Sequence, residues 1–395
     1  MTGFDFYAAL TRAWERRVIG RSIPRSGVLS SDGVGLFFEV GQPHSISKVG
    51  CDFARKLAAA GIECSACDTT PPPRRGQFSA PQAIEGLCSA LSPFKKAIVL
   101  GGPDQLLDTP YDIYREVFFE FGKGIEKWRP QLFHGTDGIL VFSDFCRKAV
   151  SSVASSHTRI FKIRYPFILP SLPGILGKNA ARRRFGIPER AFSIFFNFSY
   201  GSSLERKNPE GLVSAFAKAF QGVPAARLVF KTMAAESHPE LAVILHRSVE
   251  EHGIADKTVF IDTLLSEQEV LELTASMDVY ASLHRGEGLG LGMLEAMSLG
   301  VPVVATGYGG NTDFCSEETA FLVPFELEDW RDDCGFPQHM GEWAEADVDA
   351  AATILKAIFD NPQLGRQRSQ RGQEFVRKFF SVENFRSDVL AFLEK

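Results

Sequence analysis

From about residue 33, short apolar runs rich in β-branched and aromatic residues alternate with segments whose apolar positions recur at helical spacing. The runs are VGLFFEV (34–40), IECSAC (62–67), KAIVLGG (96–102), EVFFEF (116–121), GILVFSD (138–144) and TRIFKIRY (158–165). Helical patterns intervene, notably SKVGCDFARKLAAAG (47–61) and SDFCRKAVSSVASS (143–156), where Ser143 is placed as an N-cap. A Pro/Gly-rich stretch, YPFILPSLPGILGKN (165–179), breaks the rhythm as an interdomain linker would. The alternation then restarts with FSIFFNF (192–198), RLVFKT (227–232), TVFIDT (258–263), VYASLH (279–284), PVVATG (302–307) and AFLVPF (320–325).

Repeated strand–helix units predict parallel sheets, so the fold class is α/β, with two Rossmann-like doubly wound domains facing a cleft. The division reads as 1–172 for the first domain and 173–379 for the second, with a helix at about 380–395 packing back on the first. Ahead of the first run, FDFYAALTRAWERRVI (4–19), followed by Arg21 and Arg25, predicts an amphipathic helix. It reads first as a helix packed on the first domain and second as a peripheral membrane contact.

Composition narrows the function class. The 395 residues are 45% hydrophobic and 23% charged, which suits soluble domains, and the net charge of -5 with a pI near 6.0 gives no basic field for nucleic acid. No run reaches the roughly 18 apolar residues of a membrane span, and the N-terminus lacks a signal-peptide pattern, so the expectation is a cytoplasmic protein, if anywhere near membrane then at its inner surface. Seven scattered cysteines argue for reduced thiols. Cys64 and Cys67 lie on a predicted strand without a second metal-ligand pair, so neither metal nor redox work is expected of them. The excess of 34 Phe over 7 Tyr reads as tightly packed cores.

Chemistry concentrates in HRGEGLGLGMLEAMSLGVPVVATGYGGNTDF (284–314). Gly286, Gly288, Gly290 and Gly292 alternate between a strand end and the helix LEAMSLG, so a ligand can approach backbone N–H groups at a helix N-terminus, which favours an anion such as a diphosphate. Gly288, Leu289, Gly290 and Leu291 form that expected cradle. Glu287 stands in the loop and Glu295 in the helix, one beside the phosphates and the other placed for ribose hydroxyls. The spacing is not G-x-G-x-x-G, which disfavours a nicotinamide cofactor. GYGGNTD (307–313), with Gly309, Gly310 and Asn311, predicts a second cradle beside the first.

This segment resembles the signature of glycosyltransferase family 4, in which E-x7-E, here Glu287 to Glu295, is embedded in EGLGLGMLEAMSLGVPVVAT. SSLERKNPEGLVSAFAKAF (202–220) with RLVFKT is similar to the family's paired basic elements, which implies that Arg206, Lys207 and Lys231 grip the diphosphate. The stretch 116–145 resembles a subgroup reading aromatic-Glu-aromatic, then a helix, then a strand ending in Ser, and MGEWAEADVDAA (340–351) resembles its W-A-E-P-D element with Ala346 in place of Pro. The match is close in the C-terminal half and loose in the N-terminal half. It implies a GT-B fold, a nucleotide-sugar donor (UDP- or GDP-linked) in the second domain, retention of configuration, and no cofactor and no divalent metal. No DxD pair stands at a strand end; Asp332 and Asp333 lie in a polar insertion.

The implied activity is transfer of a hexosyl unit to a hydroxyl of a carbohydrate, glycolipid or other acceptor. Alternatives are an epimerase or phosphorylase on the same architecture, or a silent nucleotide-sugar-binding module. Glu120, in VFFEFG, is the first-domain candidate for the acceptor or reacting sugar, and equally a buried structural carboxylate. His44, in the loop after the first run, reads as an acceptor or diphosphate ligand or a surface residue. His284 reads as pocket lining, and His134 as packing.

Overall fold

The computed structural model describes residues 29–40, 45–70, 82–89, 92–100, 110–122, 133–170, 176–329 and 341–395. The predicted N-terminal helix, His44, Asp332 and Asp333 lie outside them. The chain forms two compact units: Met1–Phe118 with Ile125–Ile168 and Phe380–Lys395, and Phe119–Gly124 with Leu169–Phe379. Glu120, read from sequence as part of the first domain, thus belongs to the second unit.

The first unit carries β1 (Ser30–Phe38), α1 (Ser45–Ala59), β2 (Glu63–Asp68), β3 (Cys88–Ser89), β4 (Phe94–Leu100), β5 (Asp112–Glu116), β6 (Gly138–Val141), α2 (Asp144–Val153) and β7 (Arg159–Lys162). Its sheet is parallel, in the order β3-β2-β1-β4-β5-β6-β7. Helix α1 lies close over β1 because position 50 is glycine: a Cβ there would stand 2.3 Å from the Phe38 ring. Ser143 caps α2 as its sequence predicts, accepting a hydrogen bond from the Cys146 N–H at 3.1 Å. The thiols of Cys64 and Cys67 are pushed up by burial to about 11 and about 12, which leaves them unreactive.

One expected strand shifts. Of EVFFEF only Glu116 is in the sheet; the paired residues are Asp112–Glu116, and the last bond to the ladder is from the Val117 N–H to the Leu140 carbonyl. Ile113 and Tyr114 face opposite sides of β5 and both are buried, as a strand covered on both faces requires, whereas Phe118 is exposed.

The second unit follows with α3 (Lys178–Arg184), β8 (Phe192–Ser199), α4 (Leu204–Lys207), α5 (Pro209–Ala219), β9 (Ala226–Met233), α6 (Pro239–Glu251), β10 (Thr258–Ile261), α7 (Glu267–Ala275), β11 (Val279–Ser282), α8 (Leu291–Ser298), β12 (Val303–Thr306), β13 (Phe321–Val323), β14 (Phe325–Asp329), β15 (Glu342–Ala346), α9 (Val348–Asp360) and α10 (Pro362–Phe379). Its parallel sheet runs β10-β9-β8-β11-β12-β13. The strand order reverses at β8 and β11, whose carboxyl ends form the switch point where open α/β sheets take ligands.

The expected strand AFLVPF is split. Pro324, with no N–H to give a ladder, ends β13, and Phe325 opens a separate antiparallel pair, β14 with β15. The last helix, α11 (Val382–Leu393), belongs to the first unit, where Phe392 packs edge-on against Tyr114 and Phe161. No helix among the described residues is long and apolar enough to cross a membrane.

Candidate functional site at the ends of β8 and β11

After β8 the chain makes a tight turn held by two non-glycine residues at positive φ, Ser203 (φ 64°) and Asn208 (φ 51°). Each is fixed by capping: the Ser203 hydroxyl accepts from the Arg206 N–H at 3.2 Å, and the Asn208 side chain accepts from the Gly211 N–H at 3.0 Å. The Asn208 amide also donates to the Leu283 carbonyl at 2.9 Å, which ties this turn to the end of β11. Arg206 and Lys207, on the short helix between the two strained residues, are thereby aimed at the glycine loop.

Arg206 is 3% exposed. Its guanidinium donates to the carbonyls of Gly286 and Ser202, both at 2.8 Å, and forms ion pairs with Glu120 at 2.7 Å and Glu287 at 3.7 Å. Lys207 Nζ meets Glu287 Oε2 at 2.5 Å. Two cations and two carboxylates from three chain segments therefore meet at the sheet's switch point.

Their environments drive the carboxylates apart. Burial alone would raise Glu287, but Lys207 and Arg206 hold it at about 2, so it is ionised at any ordinary pH. Burial lifts Glu120 above the usual carboxylate range in spite of Arg206, with the Glu287 charge adding to the lift.

Helix α8 starts three residues earlier than its sequence suggests, with Gly290 (φ 93°) as its N-cap residue, so Gly292 and Glu295 lie within it. A Cβ on Gly292 would fall 2.2 Å from the Tyr280 hydroxyl, which donates to Asn197 Oδ1 at 2.7 Å. Tyr280 is raised well above its ordinary value, chiefly by burial and further by the charges of Glu287 and Glu295. Leu289 is buried in the core beneath the loop, and Leu291 opens the helix.

The second glycine turn does lie beside the first, but its backbone is committed to it. The Gly310 N–H donates to the Glu287 carbonyl at 2.7 Å, and Gly309 (φ 103°) passes so near that a Cβ would stand 2.6 Å from the same oxygen. The expected second cradle is, at Gly310, a clamp on the first.

His284 and Asn311, both fully buried, complete this clamp. His284 Nε2 reaches the Tyr308 carbonyl at 2.9 Å and Asn311 Oδ1 at 3.2 Å, while Nδ1 meets the Ser282 hydroxyl at 3.1 Å. The Asn311 amide donates to the Thr306 carbonyl at 3.0 Å. Burial holds His284 below its ordinary pKa, consistent with a neutral ring that donates from Nε2.

Lys231 is 3% exposed on β9, opposite Asn197 of β8; its ammonium donates to the Thr232 carbonyl, and burial lowers it against the raising effect of Asp262. His134 lies in the first unit. Among the described residues no group of three or more His, Cys, Asp or Glu is placed to hold a metal ion.

Sequence reading missed the supports. Arg285 donates through its backbone N–H to the Arg206 carbonyl at 2.8 Å and through its side chain to the Glu205 carbonyl at 2.6 Å; it also pairs with Glu345 and lies 5.2 Å from the Trp343 ring centre. The W-A-E match of β15 was the available signal: its Ala344 N–H donates to the Arg285 carbonyl at 2.8 Å.

Residues 179–332 match the family described as glycosyl transferases group 1. The chain is similar to a lipopolysaccharide core biosynthesis mannosyltransferase of Rhizobium meliloti (30% identical over 153 residues, 38% of this chain and 37% of that one). It is also similar to the N-acetyl-alpha-D-glucosaminyl L-malate synthase of Bacillus anthracis (29% over 184 residues, 47% and 40%). The matches thus span well under half the length of these curated relatives. Among solved structures, Anabaena Alr3699/HepE in complex with UDP-glucose superposes with a TM-score of 0.68 at 14% identity, over 91% of this chain and 99% of that one. Sucrose-phosphate synthase from Thermosynechococcus elongatus does so at 0.64 and 17%, over 92% and 98%. The fold class is therefore GT-B, with two Rossmann-like units, and the second of them carries the match to the model of glycosyl transferases group 1.

Proposed function

We propose that this protein is a retaining, metal-independent glycosyltransferase that moves a hexosyl unit from a uridine or guanosine diphosphate sugar to a hydroxyl of a carbohydrate or glycolipid. The observation that carries this reading is the convergence of Arg206, Lys207, Glu287 and the N-terminus of α8 at the switch point of the second sheet. The relatives support it: one is named a mannosyltransferase, and the Anabaena protein was crystallised with UDP-glucose.

In such a transfer the bond from the anomeric carbon to the phosphate oxygen breaks and its electron pair leaves with the nucleoside diphosphate. Arg206, Lys207 and Lys231 offset the charge that gathers there. The acceptor oxygen bonds to the same face of the sugar, and its proton passes to the departing phosphate, so no protein nucleophile is required. Glu287, ionised and anchored by Lys207, accepts hydrogen bonds from sugar hydroxyls. Glu295 accepts from the ribose, and the backbone from Gly288 to Leu291 lets the diphosphate approach closely.

Calorimetry with UDP, GDP, ADP and dTDP in EDTA tests the reading on the native chain and on Glu295→Ala. One nucleotide is expected to bind without metal, and the substitution to weaken it about tenfold or more. Silence of all four towards the native chain would overturn the assignment.

A further inference from the structure

The stretch Phe119–Gly124 belongs to the second unit although the chain on either side belongs to the first. It is held by all three elements of the candidate donor site. Glu120 pairs with Arg206 of the basic turn, the Glu120 carbonyl lies where a Cβ on Gly286 of the glycine loop would come within 2.3 Å, and the Gly122 backbone hydrogen-bonds the Tyr308 hydroxyl of the second glycine turn. The segment whose Glu120 reads from sequence as a contact of the acceptor or the reacting sugar, or as a buried structural carboxylate, is thus seated on these loops.

We propose that Glu120 is an internal stand-in for the donor's diphosphate, a positioning residue that pairs with the Arg206 guanidinium and must yield it to the incoming anion. The inference rests on the function proposed above. Three features carry it.

Arg206 does not depend on Glu120 for its place, because the Gly286 and Ser202 carbonyls fix both terminal nitrogens. Glu120 stands on the solvent side of the pair, its side chain 32% exposed against 4% for Arg206, so its departure uncovers the cation. Of the two carboxylates on Arg206, Glu287 is also held by a second cation, Lys207, at 2.5 Å, whereas the ion pair of Glu120 is with Arg206 itself. An arriving diphosphate, which cannot dislodge Glu287 cheaply, exchanges with Glu120.

The exchange has a measurable cost. A guanidinium that is free for only part of the time lowers the apparent affinity by that fraction, and removing the competitor restores it. Glu120→Gln keeps the shape and leaves Arg206 unneutralised on that side. The charged groups facing Glu120 are Arg206, Glu287 and Lys207, so protonation of Glu120 in the native chain has the same effect as the substitution.

The test is calorimetry of the nucleotide that the native chain binds, in EDTA, across pH 5 to 8, with Glu120→Gln and Glu120→Asp, each first shown to melt cooperatively. Glu120→Gln is expected to bind about fivefold more tightly near neutrality, with the gap to the native chain closing as the pH falls. Glu120→Asp, which keeps the charge on a shorter arm, is expected to lie between the two. Equal or weaker binding by Glu120→Gln, with native binding and its loss in Glu295→Ala intact, would overturn this inference alone. Absence of nucleotide binding to the native chain would overturn the donor site and this inference with it.

Discussion

Glu287 and Glu120 share one arginine and are driven in opposite directions, so each leaves its own mark on the pH dependence of the protein. Glu287 sits at about 2 in the fold against 4.5 for the ordinary side chain. Its folded value lies below the unfolded one, so the charged pair stabilises the protein fully above about pH 4.5 and progressively less as the pH falls toward 2. Glu287→Gln strands Lys207 and is expected to cost about 3 kcal/mol at pH 7. Denaturant midpoints followed downward in pH should show that gap narrowing; parallel profiles would rule out the pairing as the source of stability. The chemical identity of these residues was legible because charged side chains flanking glycines have few structural uses. The roles of Asn208 and Arg285 were not, since one depends on a positive φ and the other on partners 60 and 80 positions away in sequence. His284 and Asn311 have the residue types of ligands, yet they hydrogen-bond the loops that carry them.

At the scale of elements, the two glycine turns act as one unit locked backbone to backbone. A Cβ on Gly310 would lie 1.8 Å from the Gly288 carbonyl oxygen, and no flexible side chain is there to give way. Gly310→Ala is therefore expected to cost about 3 kcal/mol and to weaken nucleotide binding together with stability. Gly86→Ala, where nothing lies within 4 Å, is expected to stay within about 0.5 kcal/mol and serves as the control. Urea unfolding of both variants decides the point; equal stabilities would show that the turns do not clamp each other. The positions of β8, β9, β11 and β12 were readable because buried parallel strands leave continuous apolar runs between turn residues. EVFFEF misled for the same reason, as an apolar run that no neighbouring strand pairs, and AFLVPF misled because two strands meet across Pro324.

Over the whole molecule, the chain closes its first unit with its last residues. Three cations hold α11 and the residues leading into it there. Lys56 donates to the carbonyls of Phe167 and Phe380, Arg164 pairs with Asp388, and Lys96 donates to those of Phe392 and Leu393, both at 2.9 Å. Lys96 is the most informative of these. It stands at the carboxyl end of the helix, where a cation opposes the helix dipole, and its ammonium lies 5.1 Å from the Phe392 ring centre. Burial lowers its pKa, because desolvation disfavours the ammonium, and the two carbonyls it donates to offset that cost. Lys96→Met preserves the apolar stem but leaves two helix-terminal carbonyls without their donor, which is expected to cost about 2 kcal/mol. Hydrogen exchange should report the loss as faster opening of 382–393, while nucleotide affinity stays at the native value because the residues proposed to bind the donor lie wholly in the second unit. A fall in affinity without a change in exchange at α11 would show that the donor site draws on residues outside that unit.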